Sequence, residues 1–464
     1  CCCMAAGSYG ASEGAVMDPA DHTGWLTTAW IRVVTSVTAV ADGYEVGIIG
    51  VALVSMKEAL GLAPWEVALI VTALGVGAFV GALIAGQSAD ENGRIPTMLF
   101  ANIMLVLGSI VIVSTTRVEL IVLGRALAGL GVGSGLAVVS VYLTEVAPRQ
   151  ARGVAVATED VFVNVGIFLG FVMGRLLFGV TWQGLADWQL MFLVGALLPA
   201  VTFVVLCFGV IPESPRYFML TDRPEEAERV LLLVCTREEA AEVMRAARAS
   251  QQEIVSWGEV AWSSETRRRR MLLAACVVAT ASSLSGVNAL TTYGVTLLSN
   301  LMPVRDAASI YVVLALVKLV ATAAGCFLMV WIFSRRQLLL GSYAVMAVAA
   351  AVLLHTFWLG EGLWSAVAIG VIYVAFGLGA GPLLFLYPPE VLDNAMRSKG
   401  NTIAFSACRI VNLIWLASFP FMDLLTALAV LVVTNLVCVL GVYLFAPETK
   451  DVLLEANSKI FEET

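Results

Sequence analysis

The sequence predicts an all-α membrane protein: twelve transmembrane helices in two six-helix bundles, with a cytosolic helical insert. Three observations predict it. Apolar runs long enough to cross a bilayer, about 20 residues each, recur along the whole chain. Only 13% of the residues are charged, against about 25% in a soluble domain. The runs fall as six, a polar interruption and six more. A β-barrel would alternate apolar and polar residues, and these runs do not.

The expected order is a cytosolic tail (1–27), a first bundle (28–211), a helical loop (212–269), a second bundle (270–446) and a second tail (447–464). The first six spans are read at 28–53, 65–87, 95–115, 118–142, 154–178 and 187–210. The second six are read at 270–299, 307–332, 336–358, 363–388, 401–421 and 424–446. The loop contains "RPEEAERVLLLVC" and "TREEAAEVMRAARASQQEI", which carry helical periodicity and many charges. They read as short amphipathic helices under the bundle. "RRRR" at 267–270 stops at the membrane edge. No cleavable leader is read, because the first apolar run is span-length and follows a polar tail. The opening "CCCM" reads as a trimmed gene start in preference to three acylated cysteines.

Charge sorts by side. Arg94, Arg149, Arg152, Arg335, Arg336, Arg397 and Lys399 fall in one set of loops, and only Lys57, Arg117, Arg175 and Arg305 in the other. The positive-inside rule then puts both termini and the central loop in the cytosol. The net charge of −8 adds little to that.

Several chemistries lack their residues. Cys207, Cys276, Cys326, Cys408 and Cys438 lie in or beside spans, with no CxxC pattern. His22 and His355 are the only histidines, and their spacing suits no metal. "GLGVGSG" (129–135) resembles a dinucleotide loop but lies inside a span with no strand before it, so its glycines read as helix-packing positions. No phosphate-binding GxxxxGK loop and no Ser/His/Asp arrangement is present. The one compact basic run is the membrane-edge "RRRR", so no nucleic-acid partner is expected.

Each half repeats one pattern. "YLTEVAPRQARG" places Glu145 seven residues before Arg152, and "YPPEVLDNAMRSKG" places Glu390 seven before Arg397. In a transporter of two repeats, that is where the halves would latch.

With these residues the chain resembles the major facilitator superfamily, and within it the sugar porter family, over nearly its whole length. The motifs are "GQSADENGR" (86–94), "GRALAGLGVG" (124–133), "PESPR" (212–216), "SGVNALTTY" (285–293), "GLGAGP" (377–382) and "PETK" (447–450). "EDVFVNVGIFLGF" (159–171), "LVKLV" (316–320) and "ACRIVN" (407–412) are similar to proton-coupled polyol and monosaccharide transporters. That subgroup has an acid where Asp160 stands, a Lys at Lys318 and an Arg at Arg409. The chain also departs from the family. Ser282 and Ser283 replace a Gln pair that binds sugar hydroxyls in relatives, and Phe385 replaces a Trp. "VWIFSRR" keeps Arg335 and Arg336 but has Trp331 and Ser334 where an acid and a Gly are expected, which predicts a weakened second latch.

The resemblance implies roles. Glu45, midway through the first span in "ADGYEVGIIG", stands where proton-coupled relatives have Asp. It would take a proton from outside and release it inside, opposed by Arg125. The alternative is a static ion pair. Asp42, three residues earlier on the same helical face, would be a second proton site, a polar cavity wall or a charge neutralising Arg125. Asp160, Asn164, Ser282, Ser283, Asn288, Tyr293, Lys318, Phe385 and Arg409 are the expected substrate contacts, with Asp160 and Arg409 meeting across the cavity. Glu159 adjoins Asp160 but faces elsewhere, and no role follows for it. Gly86, Asp90, Gly93, Arg94, Glu145, Arg152, Glu213 and Arg216 make the first inner gate. Arg335, Arg336, Glu390, Arg397 and Glu448 make the second.

The expected function is proton-coupled symport of a polyol, cyclitol or monosaccharide by alternating access, without enzymatic activity. The proton is the coupling ion and no other cofactor is expected. The expected membrane is the plasma membrane, with a vacuolar or plastid membrane as alternatives. A monomer is compatible with the sequence, which does not give the oligomeric state. Two rivals remain: an organic-anion carrier, on the cations Lys318 and Arg409, and a non-transporting sensor, on "VWIFSRR".

Overall fold

The computed structural model describes residues 20–146, 152–209, 211–233, 237, 240, 241, 244, 257–261, 265–331, 334–392 and 396–449. Among them no β-strand occurs, and twelve helices are long and apolar enough to cross a membrane. The first six are Thr35–Leu60, Pro64–Asn92, Arg94–Val113, Val118–Leu143, Thr158–Leu177 and Asp187–Cys207. The second six are Thr266–Leu298, Val304–Leu328, Arg335–Trp358, Gly362–Val391, Lys399–Phe421 and Leu424–Phe445. They are called spans 1 to 12 below. An even number of crossings puts the described beginning and end of the chain on one side, here the terminal side.

Side chains on the outer walls are apolar and exposed. Span 2 shows Leu69, Val76, Val80 and Leu83, one stripe at helical spacing. Span 12 shows Val433, Leu436, Val437, Leu440 and Leu444. Such stripes suit a hydrocarbon solvent, in which every backbone group must be satisfied inside its own helix.

Close helix approach sets the packing within the first half. A Cβ on Gly43 in span 1 would lie 2.0 Å from the Val163 carbonyl oxygen of span 5, and one on Gly133 in span 4 would lie 1.9 Å from Ala78 O of span 2. Only glycine fits at either place. The "GLGVGSG" run is therefore a packing surface, as its context implied. In the second half, span 9 packs on spans 10 and 12, and span 7 on spans 10, 11 and 12. The halves meet where span 5 packs on spans 8 and 10, span 1 on span 7, and span 2 on span 11.

Some boundaries differ from the sequence reading. The helix of span 1 starts at Ala20, not 28. "RRRR" lies in the first turns of the span 7 helix, which starts at Thr266, instead of stopping before it. Span 7 is not continuous: it breaks between Leu284 and Val287, where Gly286 takes φ 74°. Span 10 contains a π turn over Phe376–Ala380, overlapping "GLGAGP". Gly325 of span 8 approaches that turn, where a Cβ would meet Gly377 O at 2.2 Å. Of the expected loop helices, Pro215–Leu220, Pro224–Leu231 and Trp257–Ala261 are described. Most of "TREEAAEVMRAARASQQEI" and nearly all of both tails lie outside the described residues.

On the far side the halves are sealed. Arg175 Nε of span 5 donates to Ser309 Oγ of span 8 at 2.7 Å. The rings of Phe171 and Tyr311 lie 5.3 Å apart between the same spans. A Cβ on Gly50 of span 1 would meet Thr291 O of span 7 at 2.9 Å. Asp423 caps span 12 by accepting the Thr426 amide at 2.9 Å, which holds its carboxyl below the usual range.

Candidate functional site

Glu45 and Arg125 form an ion pair sealed inside the first half. Arg125 Nη1 lies 2.8 Å from Glu45 Oε2, and both side chains are at most 2% exposed. Ser109 Oγ of span 3 donates to Glu45 Oε1 at 3.5 Å. The Arg125 guanidinium sits 5.6 Å above the Phe192 ring of span 6. Four helices of one half thus enclose the carboxylate. Arg125 is taken by Glu45, so Asp42 is not its neutralising charge. Asp42 faces span 4 instead, with Oδ2 3.0 Å from where a Cβ on Gly135 would lie.

The expected meeting of Asp160 with Arg409 does not occur. Asp160 on span 5 feels the ammonium of Lys318 on span 8, which packs against it. Arg409 on span 11 makes no ion pair or hydrogen bond among the described residues, and its charge acts on Asp42. The reason is rotational. Span 5 turns Asp160 toward span 8, while span 11 packs against span 2. Lys318 also lies 5.6 Å above the rings of Tyr373 and Phe376. Its charge is therefore stabilised by π faces of its own half and by a carboxylate of the other.

Around these two charges, which make no direct ion pair among the described residues, polar atoms stand without partners. Asn164 Nδ2 donates to the Asp160 carbonyl at 2.8 Å and to Asp160 Oδ1 at 3.4 Å. Asp160 Oδ2, Asn164 Oδ1 and Thr322 Oγ1, one turn past Lys318, have no hydrogen-bond partner. Asn288 and Asn412 join spans 7 and 11 at 3.1 Å. Ser283 Oγ and Cys408 Sγ lie 3.0 Å apart, and Ser282 is buried beside them in sequence. Phe385 packs on Phe405 with centroids 5.7 Å apart. Tyr293 serves a helix contact: its hydroxyl donates to Leu416 O at 2.9 Å and its ring stacks on Phe419 at 4.7 Å.

The gating residues build two matching clusters at the terminal side. In the first half, Arg94 Nε and Nη2 bind Glu145 at 2.9 and 2.8 Å, and Asp90 adds a contact at 3.1 Å. Arg216 Nε approaches Glu145 at 3.8 Å. Glu213 accepts the amides of Arg94 and Ile95 at 2.9 and 3.0 Å. Gly93 has φ 105°, and a Cβ there would lie 2.6 Å from Glu213 Oε2. Gly86 has open space around it and no such constraint. In the second half, Arg335 Nη2 reaches Glu390 at 3.4 Å, and Glu448 accepts the amides of Arg335 and Arg336 at 3.0 Å each.

The contacts named above tie spans of a single half together in each cluster. Glu145 takes Arg94 and Glu390 takes Arg335, while the side chains of Arg152 and Arg397, the other expected gate members, lie outside the described residues. The second cluster forms despite "VWIFSRR", because its contacts use Arg335 and backbone amides that the loop retains. Sequence reasoning missed Ser109, Ser140, Thr322 and Asn412, single polar residues in apolar runs. It also missed Tyr142 and Tyr387. Each lies three residues before the paired acid, and this repeat was visible in "YLTE" and "YPPE".

A groove of about 710 Å³ lies elsewhere, between spans 9 and 10, lined by Leu338, Val345, Val367 and Val371. It is apolar and separate from the charged residues.

Comparison with known proteins agrees with this architecture. The family profile described as "Sugar (and other) transporter" matches residues 31–461. Probable polyol transporter 4 of Arabidopsis thaliana is 27% identical over 448 residues, covering 92% of this chain and 84% of the relative. Plastidic glucose transporter 4 of the same plant is 30% identical over 387 residues, covering 81% and 69%. Glucose transporter GlcP of Staphylococcus epidermidis is 27% identical, covering 89% and 92%. Among solved structures, the xylose transporter XylE from E. coli in a partially occluded inward-open conformation superposes with a TM-score of 0.78 at 18% identity, covering 91% and 100%. The proton:xylose symporter XylE bound to 6-bromo-6-deoxy-D-glucose gives 0.79 at 19%, covering 94% and 100%.

Proposed function

The chain belongs to the sugar transporter family of the major facilitator superfamily, and from that premise we propose that it is a proton-coupled symporter of a polyol, cyclitol or monosaccharide. It is an integral multi-pass membrane transporter and not an enzyme. The observation that carries the coupling is the enclosed pair of Glu45 and Arg125. A carboxylate that can exchange one buried cation for a proton is a coupling device. Glu45 takes the proton from the far side, and Arg125 recaptures the carboxylate when the proton leaves on the terminal side.

The polyhydroxylated solute is supported by the complementary faces of the two halves. The first half offers acceptors at Asp160 Oδ2 and Asn164 Oδ1. The second offers donors at Lys318, Arg409 and Asn288, with Ser282 and Ser283 able to do either. Phe385 supplies an apolar wall for carbon-bound hydrogens. We place both termini in the cytosol and the protein in the plasma membrane as a monomer. The proton serves as coupling ion without a further cofactor, and no nucleic-acid partner enters.

The test is uptake of radiolabelled mannitol, sorbitol, myo-inositol and glucose into proteoliposomes, with and without an inward proton gradient, beside Glu45→Gln. One solute should accumulate only with the gradient, and the variant should keep exchange but lose accumulation. Gradient-independent equilibration by the native protein would overturn coupling. A second reading, an organic anion, is favoured by Arg409, which has no ion-pair partner among the described residues. Inhibition by carboxylates and not by polyols would establish it.

A further inference from the structure

Spans 1 and 5 bury four carboxylates, and among the described residues only Glu45 has an ion pair. Glu45 has Arg125, and Asp160 has the charge of Lys318. Asp42 is 1% exposed, and neither of its oxygens has a hydrogen-bond partner. Thr38, one turn earlier, faces the same glycine of span 4. Its methyl lies 3.1 Å from where a Cβ on Gly135 would be, and its hydroxyl is buried without a partner. The charged groups acting on Asp42 are Glu159 from span 5, Arg409 from span 11 and Glu45 on its own helix. Glu159 accepts a hydrogen bond from Ser140 of span 4 on Oε2, and its Oε1 has no partner. Four buried oxygens of Thr38, Asp42 and Glu159 therefore lack a donor.

An ionised carboxylate without a donor in an apolar interior is the costly arrangement. A positive occupant relieves it. A metal ion would need a cage of oxygen ligands, and among the described residues no group of three or more His, Cys, Asp or Glu is arranged to hold one. A proton needs no cage.

We propose that Asp42 is a second proton-binding group, separate from Glu45, and that Arg409 of the opposite half is its alternating counter-charge. This rests on the proton-coupled reading above. While Arg409 stands off, Asp42 is a carboxylic acid whose hydroxyl hydrogen is the bound proton. When the halves close, the guanidinium approaches, the O–H bond breaks, and the proton passes to water. The carboxylate then faces Arg409. The two proton groups follow one logic, with a cation from the same half for Glu45 and from the other half for Asp42. Only the second senses the distance between halves directly.

The test is pH-difference infrared spectroscopy of the full chain reconstituted in lipid, which reads protonated carboxyl groups without any substrate. Glu45→Gln should retain protonated-carboxyl bands from the remaining buried acids, Glu45→Gln with Asp42→Asn should lose the Asp42 component among them, and Arg409→Gln should change the pH at which that component disappears. Should Asp42→Asn fail to fold, ¹³C-aspartate labelling of the unsubstituted protein must shift that same Arg409-sensitive band. A spectrum untouched by Asp42→Asn, or by the label, overturns the proton site. An Asp42 component whose pH dependence ignores Arg409→Gln overturns the counter-charge. Because no transport is read, a wrong substrate would leave these outcomes intact, and the uptake assay would fail separately.

Discussion

Glu213 and Glu448 are structural counterparts: each lies just past the last span of its half and accepts two successive backbone amides at the start of that half's third span. A carboxylate on free amides at a helix start satisfies otherwise orphaned donors. The duplication extends around them. Tyr142 donates to Pro212 O at 2.7 Å and Tyr387 to Pro447 O at 2.8 Å. Ser214 donates to Glu145 at 2.5 Å and Thr449 to Glu390 at 2.9 Å.

The two copies differ in burial, and this predicts unequal loss. Arg94 and Glu145 are 2% and 6% exposed, Arg335 and Glu390 16% and 21%. Glu145→Gln should lower unfolding stability in detergent by about 3 kcal/mol, because it leaves the buried Arg94 guanidinium only the exposed carboxylate of Asp90 as counter-charge. Glu390→Gln should cost about 1 kcal/mol, as expected of a partly solvated pair. Thermal unfolding of the two variants side by side checks the order.

Gly93→Ala should damage the first cluster alone. It forces a side chain into positive φ and against Glu213, at a cost of about 1–3 kcal/mol. Gly86→Ala, with open space around it, should leave the melting temperature unchanged. Equal melting shifts would show that the Glu213 contact does not set the requirement for glycine.

Asp160 and Lys318 should behave as a coupled pair. Asp160→Asn alone leaves a buried ammonium, and Lys318→Met alone leaves a buried carboxylate. The double variant should recover folded yield, with a coupling of about 1–3 kcal/mol in a thermal double-mutant cycle. It should still bind solute poorly, since it loses an acceptor and a donor together. A strictly additive cycle would mean that the two charges do not interact.

Gly50→Leu should wedge the far-side seal. Its side chain would collide with the backbone of Thr291 across the halves. Net uptake should fall by about tenfold or more, since closure on that side becomes a minor state. Solute binding from the far side should persist, measurable by equilibrium binding to the purified protein. Normal uptake would show that this contact is not required for the transport cycle.

The sequence made the spans legible because a run of apolar residues has one cheap solution in a bilayer. It did not show the breaks at Gly286 and Phe376–Ala380, since neither stretch carries a charge that would interrupt a span. Buried charges could be listed, but not paired. Partners depend on the rotation of each helix, and Asp160 and Arg409 fit a cavity on opposite walls without facing each other. The Glu45 to Arg125 pair was legible because the resemblance supplied it. The latches were half legible: their residues lie in motifs, but their partners lie on other spans. "VWIFSRR" goes with the weaker copy: the second cluster forms on Arg335 and backbone amides, but its ion pair is longer and more exposed than the first.

The clusters at the terminal side have one more consequence. The ion pairs described there fasten spans within a half, and none ties one half to the other. Added salt weakens exposed ionic contacts most, so its action there falls on the stiffness of each half, chiefly the better solvated second one. Among these contacts, concentrated salt should therefore loosen the second half's own cluster before the first's, so that the two halves of the machine soften unequally.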